Sequence, residues 1–236
     1  MFLLAHLVTG IVIGIILAQA FRDRRAIPAC AFGALLPDII DKPLGHVFLA
    51  SSLGYGRIYS HTLLFLTIAT LIGIVIFWRY RSILALAAAA GIASHQVLDA
   101  MWREPVNWFY PMFGPFTGGS GGRSFFDLVM SELAEPTEWI LFAAVLLLGL
   151  AFLYQERHGT VRARFAPLLE KALLVLGILL LAAGLGVIAC AFLHLPCPLT
   201  GLRSPEDHLI CGFVIMLAGI AALSCRKPQY RVPLLR

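Results

Sequence analysis

The sequence predicts an all-α polytopic membrane bundle of about seven spans, with the N-terminus outside and the C-terminus inside. Three observations carry that prediction. Charged residues are only 13% of 236, against a hydrophobic fraction of 60%, whereas a soluble domain carries about 25% charge. Too few polar groups remain to coat a water-exposed globule, so lipid must solvate much of the surface. Six stretches approach the roughly 20 apolar residues that cross a bilayer, and Lys and Arg gather in short clusters between them, as topology requires.

Phe2–Phe21 reads as the first span. Its charges, Arg22, Asp23, Arg24 and Arg25, follow the apolar run instead of preceding it, which suits an outside N-terminus better than a cleaved signal. Ile27–Ala50 is apolar to Ile40, then broken by Asp41, Lys42, Pro43 and Gly45. It predicts a short or discontinuous helix, tolerated where backbone faces protein or a cavity. His61–Trp78, Ile83–Trp102, Pro136–Tyr154, Ala172–Phe192 and His208–Ser224 complete the set. The outer segment Arg103–Glu135 holds Pro105, Pro111, Pro115 and the tract Gly118-Gly119-Ser120-Gly121-Gly122, a loop with a flexible lid or tether, or a plain connector.

The basic clusters test the discontinuous element. Arg22, Arg24 and Arg25 can share the cytoplasmic side with Arg79 and Arg81 only if Ile27–Ala50 crosses the membrane. Seven spans then place thirteen of the eighteen Lys and Arg inside. They also place ten of the thirteen acids and six of the seven histidines at or near the outside. Insertion demands the first bias and not the second, because acids contribute little to orientation. The acidic face needs its own reason.

His95 and Asp99 are four apart in a helical run and share a face. Asp38 and Asp41, three apart, share a face if their stretch is helical. His61 opens a span inside Tyr59-Ser60-His61-Thr62, and His6 sits one turn into the first span. All six fall at the outer layer of a topology derived from Lys and Arg alone. Imidazole nitrogens with carboxylate oxygens suit Zn²⁺, Mn²⁺ or Fe²⁺, and uncompensated carboxylates in lipid cost several kcal/mol each. One or two divalent ions, zinc or manganese first, would offset that charge; two would use all six ligands and suit in-line attack at a phosphoryl centre.

Each residue alone has an ordinary explanation. A histidine near an interface is commonly just hydrogen-bonded, Asp38 or Asp41 can pair with Lys42 or Arg57, and Asp99 can cap a helix. The six together point to a metal site. His46, His194 and His208 lack such company and read as interfacial, while Glu132, Glu135 and Glu138 read as a solvated helix start. Five cysteines without a CxxC pair read as buried, inert thiols, although Cys190, Cys197 and Cys211 lie near one loop. The net charge of +5 is explained by topology, so no nucleic-acid partner is expected.

These elements follow one order: His6 and Gly10; Gly33-Ala34-Leu35-Leu36-Pro37-Asp38-Ile39-Ile40-Asp41; Arg57-Ile58-Tyr59-Ser60-His61-Thr62; Ser94-His95-Gln96-Val97-Leu98-Asp99; Trp108-Phe109-Tyr110-Pro111; Arg123-Ser124; Glu135-Pro136. In that order the chain resembles the YdjM-like membrane-bound metal-dependent hydrolases, also described as LexA-binding, inner-membrane-associated hydrolases. The resemblance covers residues 1–155, and 156–236 reads as an addition of two spans with a basic cytoplasmic loop and tail. Two departures stand out. One extra residue separates Asp38 from Asp41, and Gly56 occupies the first position of a His-Arg-Gly-x-Thr-His-Ser element. Either the chain holds one ligand fewer or His46 substitutes.

The resemblance implies a hydrolytic site with His6, Asp38, Asp41, His61, His95 and Asp99 as ligands and a metal-activated water as nucleophile. Arg57 would stabilise developing negative charge, and Glu135 could serve as general base. The depth of the site favours a membrane lipid or lipid-linked substrate, a phosphate ester among them. The rival readings are a transporter or proton and ion pathway, and a scaffold with a closed structural metal.

Overall fold

The computed structural model describes residues 3–117, 125–156, 160–197, 199–200 and 204–225, with 125, 128, 132, 151–156 and 160–166 described by their backbone alone. The described residues form helices and turns, with no strand among them. In chain order the helices are α1 (Leu3–Phe21), α2 (Ala26–Pro43), α3 (Leu63–Tyr80), α4 (Leu84–Leu98), α5 (Pro105–Trp108), α6 (Phe125–Leu133), α7 (Pro136–Glu156), α8 (Thr160–Phe192) and α9 (Pro205–Ser224). Among the described residues, four stretches are long and apolar enough to cross a membrane: Leu3–Phe21, Leu63–Tyr80, Pro167–Phe192 and Pro205–Ser224. Leu84–Leu98 and Pro136–Leu150 are shorter apolar helices. The expected discontinuity in the second element is a change of helix type: α2 runs through Pro43 into a π-helical turn at Leu44–Phe48, closed by Leu49 N–H donating to Leu44 O at 2.8 Å.

Two compact units divide the chain, one of Thr9–Ala134 and one of Phe2–Val8 with Glu135–Pro233. In the first, small residues let helices touch. A Cβ on Gly33 of α2 would lie 2.0 Å from Ala88 O, and one on Gly91 of α4 would lie 2.1 Å from Cys30 O. The backbones therefore cross in direct contact, where only hydrogen fits. On α1, Gly10 and Gly14 form a small-xxx-small face that meets Ala31 and Ala34, then Ile27, of α2. Ala18, Ala26, Cys30, Ile83 and Ala87 fill the core between these helices. In contrast, α3 is apolar on almost every side and exposes Leu64, Ile68, Leu71, Ile72, Val75 and Trp78. Lipid is the solvent that such a surface tolerates.

In the second unit α8 and α9 pack through glycines spaced by seven. Gly184 faces Gly212, and Gly177 faces Gly219; a Cβ added to any of the four would lie 2.7–3.1 Å from the facing glycine's carbonyl oxygen. Glu138 is buried, contrary to its reading as a solvated helix start. Its carboxylate accepts Leu4 N–H at 3.2 Å, satisfying an orphan donor at the start of α1.

Gly33→Ala or Gly91→Ala puts a methyl group onto a carbonyl oxygen, and overpacking of this kind costs about 3 kcal/mol. Each variant is expected to show a lower Tm in detergent. Gly149→Ala, whose added Cβ meets open space, is expected to melt at or slightly above wild type.

Candidate metal centre

Asp41, in the last turn of α2, organises the chain that enters α3. It is fully buried. Its carboxylate accepts N–H from Ile58 at 3.0 Å, from Ser60 at 3.0 and 3.1 Å, and from His61 at 3.2 Å. Ser60 Oγ also donates to Pro37 O at 3.0 Å, so the loop is tied to α2 twice. Thr62 caps α3 by accepting Phe65 N–H at 3.1 Å. The same Asp41 carboxylate receives His61 Nδ1 at 2.7 Å. A carboxylate accepts only, so Nδ1 carries the proton and Nε2 turns its lone pair away from Asp41.

His95 arrives from α4 with the same tautomer for a different reason. Its Nδ1 lies 2.7 Å from Ala34 O, a carbonyl that can only accept. The crossing at Gly33 and Gly91 brings that carbonyl within reach. With both Nδ1 protons committed, the two Nε2 atoms face each other at 3.0 Å. Two neutral imidazoles arranged so would point lone pair at lone pair, which is stable only around a shared cation or proton.

Two carboxylates complete the shell. Asp38 Oδ1 lies 3.8 Å from each Nε2, and Asp99 Oδ2 lies 3.6 Å from His61 Nε2 and 3.8 Å from His95 Nε2. A tetrahedral ion with bonds of roughly 2.0–2.2 Å sets its donors about 3.3–3.6 Å apart. The five separations that involve an Nε2 atom, 3.0–3.8 Å, bracket that range, and imidazole with carboxylate donors suits zinc or manganese. The residues present therefore fit a divalent ion. His61, His95 and Asp99 form one grouping whose ligand atoms all lie within 4.8 Å of one another.

Cations flank these two aspartates. Lys42 Nζ lies 2.9 Å from Asp38 Oδ2, and Arg57 Nε lies 2.9 Å from Asp99 Oδ2. Arg57 Nη1 also donates to Glu104 Oε1 at 2.7 Å, and Tyr55 OH donates to the other oxygen of Glu104. Burial and the adjacent Glu104 carboxylate push the Tyr55 phenol well above its ordinary value, so it remains a donor. Lys42 thus answers Asp38, and Arg57 answers Asp99 and Glu104, while Asp41 pairs with His61 and backbone N–H groups. Uncompensated charge at such burial is costly.

The structure therefore sets Asp38 and Asp99 each within 3.8 Å of both Nε2 atoms of His61 and His95, with Arg57 beside Asp99. Asp41 stands behind His61, where its carboxylate binds Nδ1 and backbone N–H groups. His6 is fully buried on α1 and Glu135 half-buried before α7; both belong to the second unit. Arg123-Ser124 and the glycine tract lie outside the described residues. Glu104 and Tyr55 escaped the sequence reading because Glu104 is 47 and 49 residues from its partners. Gln96 escaped as well: it donates to Thr62 O at 3.0 Å and accepts from Trp108 Nε1 at 2.9 Å, bracing the His95 turn. Its place beside His95 was the only signal.

Asp41→Ala would strand three buried backbone donors and the His61 ring proton, a cost of at least about 3 kcal/mol. A Tm lower by roughly 6–12 °C is expected, with Asp41→Asn in between. An Asp41→Ala protein that melts like wild type would show that the loop stands without it.

No curated protein and no solved structure matches the chain. The family model of the YdjM inner membrane protein matches residues 1–195, farther than the motifs alone reached and past the end of α8. With its four long apolar helices, this integral membrane chain belongs to the YdjM inner membrane protein family.

Proposed function

We propose that the chain is a metal-dependent hydrolase that works at the outer face of the membrane on a lipid or lipid-linked phosphate ester. The observation that carries this reading is the pair of Nε2 atoms 3.0 Å apart, each with its Nδ1 proton committed, between Asp38 and Asp99. His61, His95, Asp38 and Asp99 would hold the ion. A divalent cation supplies a Lewis acid there, which polarises a phosphoryl oxygen and acidifies water.

The chain's own residues prepare the rest. Asp41 and the Ala34 carbonyl fix the two imidazoles, which raises their basicity as ligands. Arg57 is anchored through Nε and Nη1, and its Nη2 edge serves an anionic oxygen. His6 as a further ligand and Glu135 as general base rest on their sequence pattern alone. So does the topology of seven spans, in which Ile27–Ala50 crosses and the basic clusters stay inside. A lipid substrate is supported by Val47 and Phe48, which lie exposed on the π-helical turn that follows Lys42.

Metal analysis of detergent-purified protein tests this reading. About one ion per chain is expected in wild type, with His95→Ala and Asp38→Ala both losing it, since each removes a quarter of a four-donor set. Loaded wild type should release phosphate from a panel of lipid phosphates, and Asp99→Asn should be slower by at least about a hundredfold. Folded wild type that takes up neither zinc nor manganese would refute the hydrolase reading.

A further inference from the structure

The π-helical turn at Leu44–Phe48 does more than end α2. It lays two residues against the loop that leads into the metal centre. Gly45 presses on the backbone of Tyr55, where an added Cβ would lie 1.8 Å from Tyr55 O. One residue on, the contact is reversed: a Cβ on Gly56 would stand 2.8 Å from His46 Nε2, 3.1 Å from His46 Cδ2 and 3.5 Å from Lys42 Cγ. The imidazole of His46 thus occupies the space that a side chain at position 56 would need. The glycine leaves no hole, because position 46 fills it.

That place is chemically pointed. Position 56 adjoins Arg57, which is held on Asp99, and Lys42, held on Asp38, lies one turn before His46. The Lys42 ammonium near it is a donor and offers the ring no acceptor. As a hydrogen-bond donor the same ring is well placed. Lys42, His46 and Arg57 are all partly exposed, and together they make a donor rim beside a carboxylate-lined cation pocket. A phosphoryl group needs both halves: a cation for one oxygen and fixed donors for the others.

We propose that His46, whose ring lies over Gly56 from the π-helical turn, joins Lys42 and Arg57 in recognising the anionic phosphoryl group of the substrate. This assignment rests on the hydrolase reading above. It makes His46 a specificity-determining residue and not a metal ligand.

The test moves the imidazole. His46→Ala and the double variant His46→Ala/Gly56→His are loaded with zinc, and their metal content and size-exclusion profile are recorded. Binding of inorganic phosphate and of a short-chain phosphatidic acid is then titrated. His46→Ala is expected to keep its metal and elution volume but bind both anions about tenfold more weakly, the loss of one hydrogen bond to a charged group. His46→Ala/Gly56→His is expected to recover most of that affinity. Tighter binding of phosphatidic acid than of phosphate supports a lipid headgroup, and equal binding supports a soluble phosphate, both within the proposed class. Loaded His46→Ala that binds as wild type, a double variant no better than His46→Ala, or loss of metal with His46→Ala each overturns the assignment. Wild type that holds no metal overturns the hydrolase reading itself, a separate result read before any anion is added.

Discussion

Gly33 and Gly91 let the backbones of α2 and α4 touch, and the geometry of the metal centre follows from that contact. It sets Ala34 O against His95 Nδ1 at 2.7 Å, which fixes the tautomer and aims Nε2 at His61. One turn beyond Ala34 stands Asp38, and one turn beyond His95 stands Asp99, so two helices in contact deliver three of the four candidate donors. The fourth, His61, is placed by Asp41 from the end of α2. Small residues are the ordinary means of bringing helices together in lipid, where apolar side chains gain little by leaving their solvent. In this chain they also set the spacing of polar atoms.

Electrostatics explains why the arrangement needs something held within it. The two facing Nε2 atoms need a shared proton or cation between them, and Asp38 and Asp99 each lie within 3.8 Å of both. Lys42 lies 2.9 Å from Asp38 and Arg57 2.9 Å from Asp99, which holds both carboxylates in place. Ala100 contributes at the backbone level. It adopts φ +50° directly after Asp99, a left-handed conformation that costs an L-residue about 1–2 kcal/mol. That turn carries the chain through Met101–Arg103 to Glu104, which closes on Arg57.

Much of this was legible in the sequence, for physical reasons that differ by residue. The helix positions were readable because lipid demands long apolar runs, and His95 with Asp99 was readable because a spacing of four has one meaning in a helix. Asp38 and Asp41 were harder. A spacing of three leaves them about 60° apart around the axis, enough for one to meet the Nε2 pair and the other to meet the loop and Nδ1. Glu104 and Tyr55 join through distances that no local pattern encodes. The close approach at Gly33 and Gly91 leaves no trace except two glycines in different helices, although Gly10 and Gly14 carried a recognisable spacing. His46 read as interfacial because nothing in sequence shows that its ring lies over Gly56. Ala172–Phe192 was too short at its start, since α8 begins at Thr160 in a polar stretch that apolarity does not mark.

Every functional role assigned to these residues depends on the N₂O₂ donor set, and X-ray absorption at the zinc edge of loaded wild-type protein tests it most directly. The expected spectrum has about four light-atom donors near 2.0–2.1 Å with the multiple-scattering signature of two imidazoles, falling to one imidazole in His95→Ala. Sulfur at about 2.3 Å, or a shell of oxygen alone without imidazole, would contradict it.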